Sequence, residues 1–150
     1  WFVYHSSLST GNIVYLNTYA AQAAVAAFGT PTSTDFTVKY SGSTDVNNSG
    51  ETYVAYLFAH DAGGFGATGT DNVISCGSFT TDGSGNASVN LGYEPQWVLT
   101  KAASQGSNWA IRDNMRGWTT ADANILLANT SAVEATSTAN TLNATGLVLA

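Results

Sequence analysis

Gly50-Glu51-Thr52-Tyr53-Val54-Ala55-Tyr56-Leu57-Phe58-Ala59 is the stretch whose reading decides the fold. Seven of its last eight residues are apolar or aromatic, and neither Pro nor Gly interrupts them. Tyr, Val and Phe favour strands because bulk close to the backbone fits a pleated surface. On a strand, Tyr53, Ala55, Leu57 and Ala59 point to one face, and Val54, Tyr56 and Phe58 to the other. Neither face is polar, so the pattern predicts a central strand covered on both sides, not an edge strand facing water. Val54, Tyr56 and Phe58 are expected to face the core. The Tyr/Ala face then needs a loop, a neighbouring domain or another chain over it. A polar Ser/Asn/Gly run over residues 41–50 enters the stretch and His60-Asp61-Ala62-Gly63-Gly64 leaves it, both with turn composition.

The bulk numbers bound what this strand can belong to. A chain of 150 residues suits one domain or two small ones. Only 9% of residues are charged, Lys and Arg total 4, and the net charge is −6. That excludes a nucleic-acid partner, which needs a basic patch to replace counterions on phosphate. Thr, Ser, Asn and Gly take the place of charge, as in a turn-rich β protein with a hydroxyl and amide surface. An aromatic content of 11% speaks against disorder. The single Cys76 excludes an internal disulfide and reads as a small buried residue. The longest apolar runs fall well short of the ~20 residues of a membrane span, so no membrane partner is expected. The start at Trp1-Phe2-Val3-Tyr4, with no initiator Met and no signal-peptide pattern, reads as a piece of a longer or processed polypeptide.

Along the chain, residues 1–4 and 13–16 predict a hairpin across a Ser/Thr/Gly loop. Residues 19–28, Tyr-Ala-Ala-Gln-Ala-Ala-Val-Ala-Ala-Phe, allow either a short helix or an irregular connection. Ala favours helix and Gly29 with Pro31 would end it, but the segment carries no charge and lies between strands. Residues 36–40, 73–80, 87–91, 96–101, 108–113, 124–127 and 147–149 predict further strands, with a turn at Asp82-Gly83-Ser84-Gly85-Asn86. Many short strands separated by turn residues define the expected class: all-β, an antiparallel β-sandwich of jelly-roll or lectin-like type, with at most one short Ala-rich helix near 19–28.

An internal repeat organises these strands. Trp1-Phe2-Val3-Tyr4-His5 aligns with Trp109-Ala110-Ile111-Arg112-Asp113. Tyr15-Leu16-Asn17-Thr18 aligns with Leu127-Ala128-Asn129-Thr130. Ser33-Thr34-Asp35-Phe36-Thr37-Val38 aligns with Asn143-Ala144-Thr145-Gly146-Leu147-Val148. The offset is about 110 residues, the size of one sandwich domain. Residues 1–82 are then most of one unit and 87–150 the first part of a second. The second unit lacks its own central strand, which either another chain supplies or a composite fold replaces. Chance likeness of Ser/Thr/Asn-rich sequence is the alternative.

Motifs for chemistry are sparse. There is no HExxH, GxSxG or CxxC pattern, and Gly63-Gly64-Phe65-Gly66 lacks the Lys and the helix of a phosphate loop. His60-Asp61 has the form of a proton-transfer pair, of the start of a metal site, or of an ordinary loop contact, and the last is preferred. Asp82 to Asn86 alternates oxygen ligands as calcium loops do but lacks their later bidentate acid, so no metal and no cofactor is expected. Asp35, Asp45, Glu51, Asp61, Asp71, Asp82 and Glu94 lie in predicted turns, where two could meet as a glycosidase pair ~5–10 Å apart. Trp1, Trp97, Trp109, Trp118, Tyr19 and Tyr93 could stack on sugar rings. Alternation makes Trp97 and Trp109 core residues first. Trp118, in the polar loop Arg116-Gly117-Trp118-Thr119-Thr120, is the best exposed candidate.

Residues 46–59, 62–66, 76–80, 91–99 and 113–118 (Asp-Asn-Met-Arg-Gly-Trp) together resemble the repeated β domain of marine tailed-phage virion proteins, which include tail fibres and other surface components. Asp113, Arg116 and Gly117 fit that family's pattern after the Trp strand, whereas the first unit has His5-Ser6-Ser7-Leu8 there. The resemblance implies a non-enzymatic, extracellular, structural or adhesive part, usually in a homo-oligomer with other virion proteins. It brings no catalytic residues. The expected function is a structural subunit of a virion surface or tail assembly, with strand sharing between subunits and a host surface glycan as a further partner. The alternatives are a carbohydrate-binding module using Trp118, Arg116 and Asp113, and then a glycan-cleaving enzyme, with Asp61 or Glu94 to be tested.

Overall fold

The computed structural model describes residues 1–25, 27–39, 46–119, 123–137 and 140–150. In chain order its strands are β1 (Phe2–Val3), β2 (Asn12–Tyr15), β3 (Ala23–Ala24), β4 (Ala87–Asn90), β5 (Trp97–Thr100), β6 (Ala110–Asp113), β7 (Ala123–Leu127), β8 (Ala135–Ser137), β9 (Asn140–Asn143) and β10 (Gly146–Leu149). They form three sheets, ordered β1-β2-β3, β4-β10-β9 and β5-β6-β7-β8. Every strand pairing is antiparallel. The fold is all-β and of the sandwich type, with one 3-10 turn at Asn114–Arg116.

The core lies where the second and third sheets meet. Trp118, Leu142 and Leu147 are buried together, and Val89, Leu91, Val98 and Leu149 pack against them. β10 (Gly-Leu-Val-Leu) sits between two neighbours, which explains its apolar run. The turn into it is closed by Asn143, whose side-chain oxygen accepts from the Thr145 amide at 2.9 Å. A Cβ on Gly146 would meet the Val89 carbonyl oxygen, so a side chain there would push β10 off β4.

In the first sheet Ile13 and Val14 of β2 are buried. Trp109 joins this part to the third sheet. It is buried, its indole Nε1 donates to the Tyr15 carbonyl at 2.7 Å, and its own amide donates to Asn129 Oδ1 at 2.8 Å. The connection after β5 closes the same seam: Gln22 N donates to Ala103 O and Ser107 N to Tyr19 O, both at 2.9 Å.

The two halves share a pairing pattern. Phe2↔Tyr15 and Val3↔Val14 fall on Ala110↔Leu127 and Ile111↔Leu126 when the sequences are aligned as above. Asn12↔Ala24 and Ile13↔Ala23 likewise fall on Asn124↔Thr136 and Ile125↔Ala135. Leu16 N donates to Trp1 O at 3.1 Å, as Ala128 N does to Trp109 O at 3.0 Å. The hydroxyls of Thr18 and Thr130 each accept from the amide two residues on, at 3.4 and 3.3 Å. Order and register therefore coincide over three strands.

Several expectations are corrected. Residues 51–59 form no strand and are exposed throughout, with Tyr56 at 70% and Leu57 at 73%. The composition is right for a strand, but a strand is completed by a ladder partner, and none pairs with it among the described residues. Residues 73–80 likewise form no strand. Residues 19–28 contain no helix among those described. Ala23 and Ala24 take up the free edge of β2, since a short uncharged Ala run cannot hold a helix alone and edge bonds are at hand. The expected strand at 36–40 reduces to one bridge, Val38↔Phe28, and Tyr40 lies outside the described residues. Trp97 is 55% exposed and not in the core. β8 and β9 were not anticipated, because their Thr, Ser and Asn residues carry no apolar alternation.

Candidate functional site

Asp113, Arg116 and Trp118 meet at the end of β6, and the local sequence explains how. Asp113 caps the 3-10 turn: its Oδ1 accepts from the Arg116 amide at 2.9 Å and its Oδ2 from Arg116 Nε at 2.7 Å. Arg116 Nη1 reaches Glu134 Oε2 at 3.4 Å. The bonds to Asp113 first, and then to Glu134, hold the guanidinium more firmly protonated than usual. Gly117 follows in the left-handed region (φ 91°), a conformation that turns the chain back so that Trp118 N donates to Asp113 O at 3.2 Å. Asn124 Nδ2 donates to the Arg116 carbonyl.

The consequence is that Trp118 points inward. It is 2% exposed, its Nε1 donates to the Asn140 carbonyl at 3.1 Å, and no ring face is left for a sugar. Its expected role as an exposed platform is corrected to that of a core residue. Asp113 and Arg116 lie together as expected, but each is engaged with the other. Arg112, one residue before Asp113, was not singled out from sequence. It is buried, its Nε has no hydrogen-bond partner among the described residues, and burial lowers its pKa. Alternation puts Arg112 on the face of the strand opposite Trp109 and Ile111, where a polar residue is ordinary, so no signal in the sequence marked its burial.

His60 and Asp61 form a loop contact. His60 Nδ1 accepts from the Cys76 amide at 3.2 Å, and Asp61 N donates to Ile74 O at 2.9 Å. Ser75 Oγ donates to Asp61 Oδ1 and accepts from Tyr93 OH at 2.9 Å. The hydroxyl therefore faces a carboxylate and not an imidazole, which is not the arrangement of an activated nucleophile. Cys76 is half-buried; desolvation, and then the Asp61 carboxylate, push its thiol pKa up, away from reactivity. Asp82 spends its carboxylate on its own turn, accepting from the amides of Ser84 and Asn86 at 2.8 and 2.9 Å. No group of three metal-binding side chains occurs among the described residues.

What remains is a surface. Val54, Tyr56, Leu57 and Phe58, with Val73, Ile74 and Phe79, are exposed large apolar side chains on two runs outside the strands. Trp1 extends the surface to the edge of β1, its ring 5.6 Å from that of Tyr56. The chain exposes 9591 Å² in all, whereas a compact monomer of 15.5 kDa exposes ~7200 Å². The excess is of the size that obligate interfaces bury, roughly 2000 Å² or more. The residues that sequence placed at the centre of the core are thus open to a partner.

Fold and surface together define an all-β, sandwich-type protein with an exposed apolar run outside its strands. Residues 1–147 match the family described as a domain of unknown function, DUF7483, and the chain belongs to that family. No curated protein and no solved structure matches it.

Proposed function

We propose that the protein is a non-enzymatic structural subunit of a phage virion surface or tail assembly, built by self-association through residues 53–58 and the apolar side chains beside them. The observation that carries the reading is the exposure of Val54, Tyr56, Leu57 and Phe58 on a run without a ladder partner among the described residues. Burying one such side chain stabilises by about 1.5–3 kcal/mol, so leaving four in water favours association strongly. A surface of hydroxyls and amides with few charges suits a stiff hydrated shell, and the resemblance to virion repeats supplies the setting. The burial of Trp118 and the mutual engagement of Asp113 and Arg116 favour assembly over a sugar site at those residues.

Sedimentation velocity across a dilution series tests this. The parent chain is expected to sediment as an oligomer. A Val54→Asn, Tyr56→Asn, Phe58→Asn variant is expected to sediment as a monomer with an unchanged far-UV spectrum. A folded parent that stays monomeric at every concentration refutes the reading.

A further inference from the structure

A cleft of about 320 Å³ opens between the connection from β1 to β2 and the segment bridged through Phe28↔Val38. Each wall is held by its own hydrogen bonds. On one side Leu8 N donates to His5 O at 3.0 Å, Asn12 N to Ser9 O at 2.9 Å and Ser9 N to Gln22 Oε1 at 3.0 Å. On the other, Gly29 N donates to Thr37 O at 2.9 Å and Lys39 N to Ala27 O at 2.7 Å. The rings of Tyr4 and Phe28, with centroids 6.3 Å apart, join the two walls. The shape is thus set by the chain itself, which lowers the ordering cost of taking up a ligand.

The lining has a definite chemistry. Ser6, Thr10 and Thr30 bring hydroxyls and Asn12 an amide, and none of these side chains has a hydrogen-bond partner among the described residues. Hydroxyls both donate and accept, and an amide does each at one end, so they match a ligand dense in hydroxyls. Tyr4 and Phe28 add apolar ring area beside them. Lys39 is the one charged residue among the described residues of the lining, and no acid there pairs with it. Gly29 lets the Lys39 stem lie close, since even a Cβ there would stand 3.8 Å from Lys39 Cε. The volume is at the small end of ligand sites and suits a single sugar ring. One ammonium balances one carboxylate. A phosphate ester carries about −1.5 to −2, and the chain's net charge of −6 opposes the remainder.

We propose that this cleft is a binding site for a carboxylated monosaccharide, a uronic acid in its simplest form. Lys39 meets the carboxylate, Thr10, Asn12 and Thr30 meet ring hydroxyls, and the apolar face of the ring lies against Tyr4. No residue of 53–58 or 73–79 lines the cleft, so the site stands apart from the assembly reading.

The test titrates the ¹⁵N-labelled full chain with sodium glucuronate, sodium galacturonate, glucose and inorganic phosphate at one ionic strength, following amide shifts. Saturable shifts centred on Gly11, Asn12, Gly29 and Thr30 are expected with at least one uronate, and glucose and phosphate are expected to bind about ten-fold more weakly or worse. Lys39→Met is expected to bring the uronate down to the level of glucose. It should leave the remaining spectrum unchanged, because the Lys39 amide and not its side chain bonds to Ala27. Absence of saturable shifts with both uronates overturns the proposal. So do shifts centred away from the cleft, glucose or phosphate binding as tightly as the uronate, or a Lys39→Met chain that binds the uronate as the parent does. An oligomeric parent that ignores the uronates overturns this proposal alone, and a monomeric parent that binds one at the cleft overturns the assembly reading alone.

Discussion

Replacing Trp118 by Ala removes the largest side chain of the core between the second and third sheets. A Trp side chain buries about 200 Å², which at ~25 cal/mol per Å² is about 5 kcal/mol, in line with the 3–5 kcal/mol typical of Trp→Ala in cores. The lost indole bond to the Asn140 carbonyl adds about 1 kcal/mol. Against a total stability of ~5–15 kcal/mol, a loss of ~4–6 kcal/mol lowers Tm by roughly 8–24 °C for a chain of this length. Trp118→Phe keeps the ring contacts but not the N–H, and should lose about 1–2 kcal/mol. Arg116→Ala breaks exposed ion pairs, which solvent screens, and should leave the unfolding midpoint almost unchanged. Urea unfolding followed by far-UV circular dichroism measures all three. A Trp118→Ala chain within about 1 kcal/mol of the parent would show that this side chain does not hold the sheets together, and would reopen its role as a binding platform.

Three further outcomes are expected. Gly146→Ala forces a methyl against the Val89 carbonyl and should cost about 1–3 kcal/mol in urea unfolding, whereas Gly85→Ala, with nothing within 4 Å, meets only the strain of its positive φ. Arg112→Met replaces a buried cation that has no acid partner among the described residues and should be neutral or raise Tm; a loss beyond about 2 kcal/mol would reveal a counter-charge. Asp82 has its pKa lowered, chiefly by the amides of Asn86 and then Ser84, so its stabilisation is present above the unfolded value of ~3.9 and is lost as pH falls through the folded value. Asp82→Asn should accordingly melt below the parent at pH 7, with the gap closing as pH falls below about 4, as thermal melts across pH would record.

How much was legible depends on the range of the interaction concerned. The hairpin of β1 and β2, β4, β5, β6, β7, β10 and the Asp82 turn follow from alternation and turn residues, because those signals act over a few residues. The likeness of Trp1-Phe2-Val3 to Trp109-Ala110-Ile111 could be read in the sequence as well, and its meaning for pairing became visible once the registers were compared. The orientation of Trp118 was not legible. A polar loop of Arg, Gly and Thr looks exposed, yet Gly117 at φ 91° reverses the chain and sends the indole inward.

Residues 53–58 mark the boundary most clearly. Their side chains alone set the demand for two covered faces and an extended backbone, since bulk near Cα and the lack of polar groups are properties of the residues themselves. Whether that demand is met is a tertiary matter, because a ladder needs a second strand at hydrogen-bonding distance and burial needs a surface to press against. Among the described residues no strand pairs with them, and the most strand-like segment stands exposed.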